Sequence, residues 1–182
     1  MNWRLPGTIL SIDRADAPFI EKQFSSMFLG GGIVLSQVAG ITGLEPYTIQ
    51  NWVKRGFLPP PDHKRYNLNQ LCRIININLL KRTLLMEQIC GLLGYINGHL
   101  DDASDDIIDD SQLYFLFVKL AATAPSLRDT DEADASIETL LQDYQEPFSG
   151  AKERVAKVMK VMLVAWVASK LHESAEKMVA AL

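Results

Sequence analysis

LSQVAGITGLEPYTIQNWVKRGFLPPP, residues 35–61, holds two short runs of helical periodicity on either side of a glycine, followed by three prolines. Ser36 can cap the first run, in which Val38 and Ile41 form an apolar face. Gly43 supplies the turn, and Pro46 suits the first turn of the second run, where a missing N–H costs nothing. Ile49, Trp52 and Val53 then fall on one side of the second helix, with Thr48, Gln50, Asn51, Lys54 and Arg55 on the others. This is a helix-turn-helix pattern.

Working outward, Gly56 ends the second helix and Pro59, Pro60 and Pro61 force an extended exit. They hold DHKRY, residues 62–66, out as a short stiff loop. Asn67 and Gln70 form a capping pair for a helix with Leu68, Leu71, Cys72, Ile75 and Leu79 facing inward. Another short helix, with Leu85, Ile89 and Leu92 inward, fades at Gly94. Upstream, a helix capped by Asp16 carries Ile20, Phe24 and Met27 or Phe28 on one face and stops at Gly30-Gly31-Gly32. No P-loop lysine and hydroxyl follow that triplet, so it reads as a flexible joint.

The rest of the chain is also helical in period, with no sustained alternation. In the tail, one helix runs from about Gln112 to Ala124 and is stopped by Pro125; a second runs from about Asp131 to Gln145, and a long third from about Ala151 to Ala181. The third has Val155, Met159, Met162 and Trp166 on one side and Val161, Val164, Ala168 and Leu171 on another. Such a helix needs cover on two sides. Its own chain covers one, and a second subunit is the expected cover for the other, giving a homodimer.

The net charge of −4 over 182 residues hides a strong asymmetry. Residues 1–32 are balanced and 33–98 are net basic, whereas 99–149 are strongly acidic and 150–182 basic again. These shifts suggest four segments: an N-terminal helix and joint (1–32), a helix-turn-helix unit (33–98), an acidic linker (99–110) and a helical dimerisation region (111–182). HLDDASDDIIDD, residues 99–110, is the strongest candidate for enzyme chemistry: if helical, Asp102, Asp106 and Asp109 or Asp110 would line one face and could hold a divalent metal. A solvated linker whose Asp109, Asp110 and Ser111 cap the next helix is the favoured reading. Cys72 and Cys90 lie in apolar surroundings with no zinc-type spacing and read as reduced core thiols. The first residues lack a secretory pattern and no apolar run reaches the length of a membrane span. A soluble, cytoplasmic protein without a membrane partner is expected.

With these features in place, LSQVAGITGLEPYTIQNWVKRGFLPPP and the following KRYNLNQLCRIININLLKR resemble the winged helix-turn-helix head of MerR-type transcription regulators. A family of MerR-like bacterial proteins, sharing the PPPxxKRY wing from Pro59 to Tyr66, is similar over most of the chain. The resemblance implies an all-α protein with a MerR-like head, minor β content in the wing and a C-terminal helical bundle. It implies double-stranded DNA as partner, with Thr48, Gln50, Asn51, Lys54 and Arg55 on the recognition helix and Lys64, Arg65 and Tyr66 in the wing. Gln50 and Asn51 depart from the arginine and aromatic residue usual there, and no cysteine follows Cys90, so the thiolate sites of metal-sensing members are not expected. The functional expectation is a sequence-specific DNA-binding regulator with no catalytic residue, metal or cofactor and an unknown effector. The alternatives are a non-enzymatic adaptor with the same fold and, third, a metal-dependent hydrolase built on the acidic cluster.

Overall fold

The computed structural model describes residues 2–100, 102, 104–123 and 130–182. Within them the fold is mainly helical: α1 (Ile20–Met27), α2 (Leu35–Thr42), α3 (Pro46–Lys54), α4 (Leu68–Leu80), α5 (Met86–Asn97), α6 (Asp110–Thr123), α7 (Thr130–Leu140) and α8 (Ala151–Ala180). Two small antiparallel pairs accompany them. β1 (Asn2–Arg4) pairs with β2 (Ser11–Asp13), and β3 (Ile33–Val34) with β4 (Arg65–Tyr66). Pro125, the expected stop of α6, and Asp101 of the acidic segment lie outside the described residues.

The β1–β2 hairpin was not expected. Its loop holds Pro6 followed by Gly7 at φ 72°, and Thr8 N donates to Leu5 O at 3.2 Å, the pattern of a turn that needs a left-handed residue at its third position. Gly7 is also required sterically, because a Cβ there would lie 2.6 Å from Ile75 O. Asp13, not Asp16, is the first cap: it accepts from Ala15 N at 2.9 Å and opens a 3-10 helix, Arg14–Phe19, ahead of α1.

The core is centred on α4, which is buried nearly all round. It opens with the expected capping box: Gln70 N donates to Asn67 Oδ1 at 2.8 Å and Asn67 N to Gln70 Oε1 at 2.9 Å. Its strongest packing is on α6, with α2 and α8 on other sides. Phe24 of α1 meets the rings of Tyr114 and Phe115 of α6 at 6.0 and 5.8 Å. Tyr114, fully buried, donates its hydroxyl to Pro6 O at 3.0 Å. In α5 the inward residues are Ile89, Leu93 and Ile96; Leu85 precedes the helix and is 70% exposed, so its expected inward placement is corrected.

The acidic segment is no solvated linker. Ile107 and Ile108 enter the core, and Asp110 is buried. Residues from all four expected segments, Phe24, Ile74, Ile108 and Leu113 among them, join one core. The described residues of the segment before α6 are also not helical, so Asp102, Asp106 and Asp109 do not line a common helix face. Three carboxylates of the segment have local tasks instead: Asp102 accepts from Ser104 N at 2.9 Å, Asp105 from His99 N at 2.9 Å, and Asp109 caps α6 through Gln112 N at 2.8 Å.

Candidate nucleic-acid interface

α2 and α3 are joined at Gly43, which ends α2 at φ 71° and donates to Ala39 O at 2.8 Å. Pro46 takes the first position of α3, and Ile49 and Trp52 anchor that helix in the core. Its far end closes with paired bonds, Gly56 N to Val53 O at 3.0 Å and Phe57 N to Trp52 O at 2.9 Å, with Gly56 left-handed at φ 74°. The chain leaves at a fixed angle toward the prolines. Gln70 Nε2 holds Pro60 O at 2.9 Å, and Arg73 Nε holds Phe57 O at 3.2 Å, so two α4 side chains fix the path to the wing.

The wing is a tight hairpin and not merely an extended loop. Asp62 bridges Arg65, with Arg65 N donating to Asp62 O at 2.7 Å, and the two residues between them, His63 and Lys64, have φ of 46° and 64°. Two consecutive left-handed residues match the twist of a two-residue hairpin loop, a place usually taken by Asn-Gly. Here both carry a side chain, and both side chains point to solvent. β4 then pairs with β3, and Gly32 is needed beneath it: a Cβ there would lie 2.9 Å from Tyr66 O. The triple glycine is therefore more than a joint.

Between α3 and the hairpin lies an open groove of about 730 Å³, lined by Gln50, Val53, Lys54, Pro61, Lys64 and Tyr66, with Val34, Leu35 and Ser36 beneath. The structure thus brings Gln50 and Lys54 of α3 together with Lys64 of the hairpin. Gln50, Asn51, Lys54, Arg55, Lys64 and Arg65 are exposed and Thr48 is half-buried, whereas Tyr66 is only 3% exposed. Tyr66 is therefore corrected from a surface contact to a core anchor of the wing. Its burial raises the phenol above its ordinary range. Arg65 is partly committed, donating Nη1 to Gly32 O at 2.9 Å, and the Arg55 guanidinium lies 4.7 Å from the Phe57 ring centroid. Tyr47, 70% exposed one turn before Gln50 and Asn51, is a surface residue of α3 that the sequence reading passed over. Its signal was present: it falls outside the Ile49–Trp52 face.

Behind this surface, Asp110 is paired with Arg73 at 3.1 Å, and Asn76 Nδ2 donates to Asp110 O at 3.2 Å. Burial raises the Asp110 carboxyl despite the opposing pull of Arg73. Asp106, partly desolvated and close to Asp110 and Asp105, is pushed up to about 6. Among the described residues no group of three or more His, Cys, Asp or Glu side chains is placed to hold a metal ion, and no helix is long and apolar enough to cross a membrane. Cys72 and Cys90 are both free; Cys72 is buried and Cys90 half-buried, and burial raises both thiols.

Comparison with known proteins corrects the resemblance to MerR-type regulators. The family model that the chain matches is the domain of unknown function DUF1836, over residues 21–117, and not a MerR or helix-turn-helix family. The match runs from α1 through the helix pair, the wing, α4 and α5 into α6, so the family unit includes the buried Arg73–Asp110 pair. The chain is also similar to the uncharacterized protein YkrK of Bacillus subtilis (strain 168), with 23% identity over 160 residues, covering 81% of this chain and 69% of that protein. No solved structure matches. The helix pair and wing are thus features of a different family: the chain belongs to the DUF1836 domain family.

Proposed function

We propose that the protein is a sequence-reading, DNA-binding transcriptional regulator in which α3 enters the major groove and the hairpin lies on the adjoining backbone. The observation that carries this reading is the convergence of Lys54 and Lys64 with Gln50 on one open groove of an otherwise acidic protein. Cations on a rigid hairpin neutralise phosphates and release counterions. An exposed amide on a helix beside them can pair with a base edge. A homodimer is part of this reading, since helix-turn-helix dimers meet two half-sites on one duplex.

A second reading has its own support. The groove walls include Val34, Leu35, Val53, Pro61 and Tyr66, an apolar lining that suits a protein segment in a non-enzymatic adaptor. Selection of bound duplexes from a random pool, followed by titration of the preferred duplex against salt, separates the two. The regulator yields an enriched sequence and an affinity that falls steeply with salt; the adaptor yields neither.

A further inference from the structure

α8 presents two apolar faces, and only one is covered among the described residues. Val155, Met159, Met162 and Trp166 are buried against the body, with Trp166 edge-on to Phe117 at 6.2 Å. On the opposite side, Val161, Val164, Ala168, Leu171, Ala175, Met178 and, just past the helix end, Leu182 are all exposed. Val161 is 40% exposed and Leu171 68%, and exposure rises toward the tip. These positions recur at alternating steps of three and four residues, which is the seam of a two-stranded coiled coil.

We infer that this seam pairs α8 with α8 of a second copy of the chain. Beyond Ser169 nearly every residue is exposed, so the last part of α8 stands clear of the body. A free helical segment of this length is marginal in water without a packed face. Glu173 is paired along the helix, 3.4 Å from Lys170 and 3.1 Å from Lys177. Those pairs leave the seam itself uncharged, so two identical copies meet without facing like charges. From Val161 to Leu182 the seam is about 33 Å long on a helix about 10 Å wide, roughly 330 Å² of projected surface per chain and about 660 Å² for the pair. That is less than the roughly 1,200–2,000 Å² of stable specific interfaces, so the dimer is a weak, reversible one whose population depends on concentration.

The inference supplies the homodimer that the proposed function includes and rests on that part of it, and it is tested without DNA, so a failure here leaves the groove's own test standing. Sedimentation velocity of the full chain from about 1 to about 100 µM should show a monomer passing into a dimer, a range typical of modest interfaces. Leu171→Glu with Met178→Glu, both on the exposed face, should remain monomeric throughout while the thermal transition of the body is retained. Val161→Glu with Val164→Glu, at the other end of the seam, should do the same. A wild-type chain that stays monomeric at the highest concentration overturns the inference, as does a charged double variant that still dimerises.

Discussion

Arg73 and Asp110 form an ion pair closed off from water: Nη1 lies 3.1 Å from Oδ2, and the side chains are 10% and 4% exposed. Because Arg73 also holds Phe57 O, the pair ties the exit of α3 to the first turn of α6. Removing one partner strands the other charge in a desolvated site. Asp110→Ala is therefore expected to cost about 3–5 kcal/mol in denaturant unfolding. The double change Arg73→Met with Asp110→Leu, which removes both charges, should cost much less. Equal losses in the two proteins would show that packing and not charge dominates there.

The raised Asp106 and Asp110 carboxyls fix the sign of a pH effect. The folded chain holds protons on them that the unfolded chain releases near the ordinary value of 3.8, so their contribution to stability is full below that pH and is lost as pH rises through about 6 for Asp106. Asp106→Asn should raise the melting temperature at pH 7 relative to the parent, with the difference shrinking toward pH 4. A difference that does not change with pH would assign the gain to packing.

His63 and Lys64 sit left-handed at the hairpin tip, where a side chain is disfavoured. Lys64→Gly relieves that conformation, and after the extra backbone freedom of glycine in the unfolded chain it should stabilise folding by about 0.5–1 kcal/mol. The same change removes a cation from the groove and should weaken duplex binding. Greater stability with weaker binding, read by melting and by fluorescence anisotropy, marks a residue kept for contact. Lower stability would contradict the strain argument.

Gln50 is exposed on α3 and lines the groove beside Lys54. Gln50→Ala should cost about 1–3 kcal/mol on the preferred duplex and much less on scrambled duplex, with an unchanged salt slope, because an amide reading a base edge carries no charge. Equal losses on both duplexes would make Gln50 a positioning residue.

Much of this architecture was legible in local chemistry. The Asn67–Gln70 box, Gly43, Pro46, Gly56 and the core placement of Ile49 and Trp52 follow from caps, turns and helical period, and each is found in place. What escaped depends on residues distant in sequence. The β1–β2 strands are too short to show alternation, and their Pro6-Gly7 turn gains its meaning from Ile75 and Tyr114. The acidic run looked solvated because nothing local revealed that Asp110 meets Arg73. Tyr66 shared a basic stretch with Lys64 and Arg65, yet strand alternation turns it inward when β4 pairs with β3. In α8 the two apolar faces were readable, and the fold decided which one stays open.

The central claim is that the end of α3 and the hairpin grip duplex DNA through their cations, and the salt dependence of binding tests it most directly. If Lys54, Arg55, Lys64 and Arg65 each meet a phosphate, the plot of log affinity against log salt should have a slope of roughly −3.6 at about −0.9 per contact. Lys54→Ala with Lys64→Ala should bring it to roughly −1.8 without lowering the melting temperature. The absence of duplex binding at about 50 mM salt, where even non-specific contacts are strong, or a slope untouched by the double change, would contradict the account.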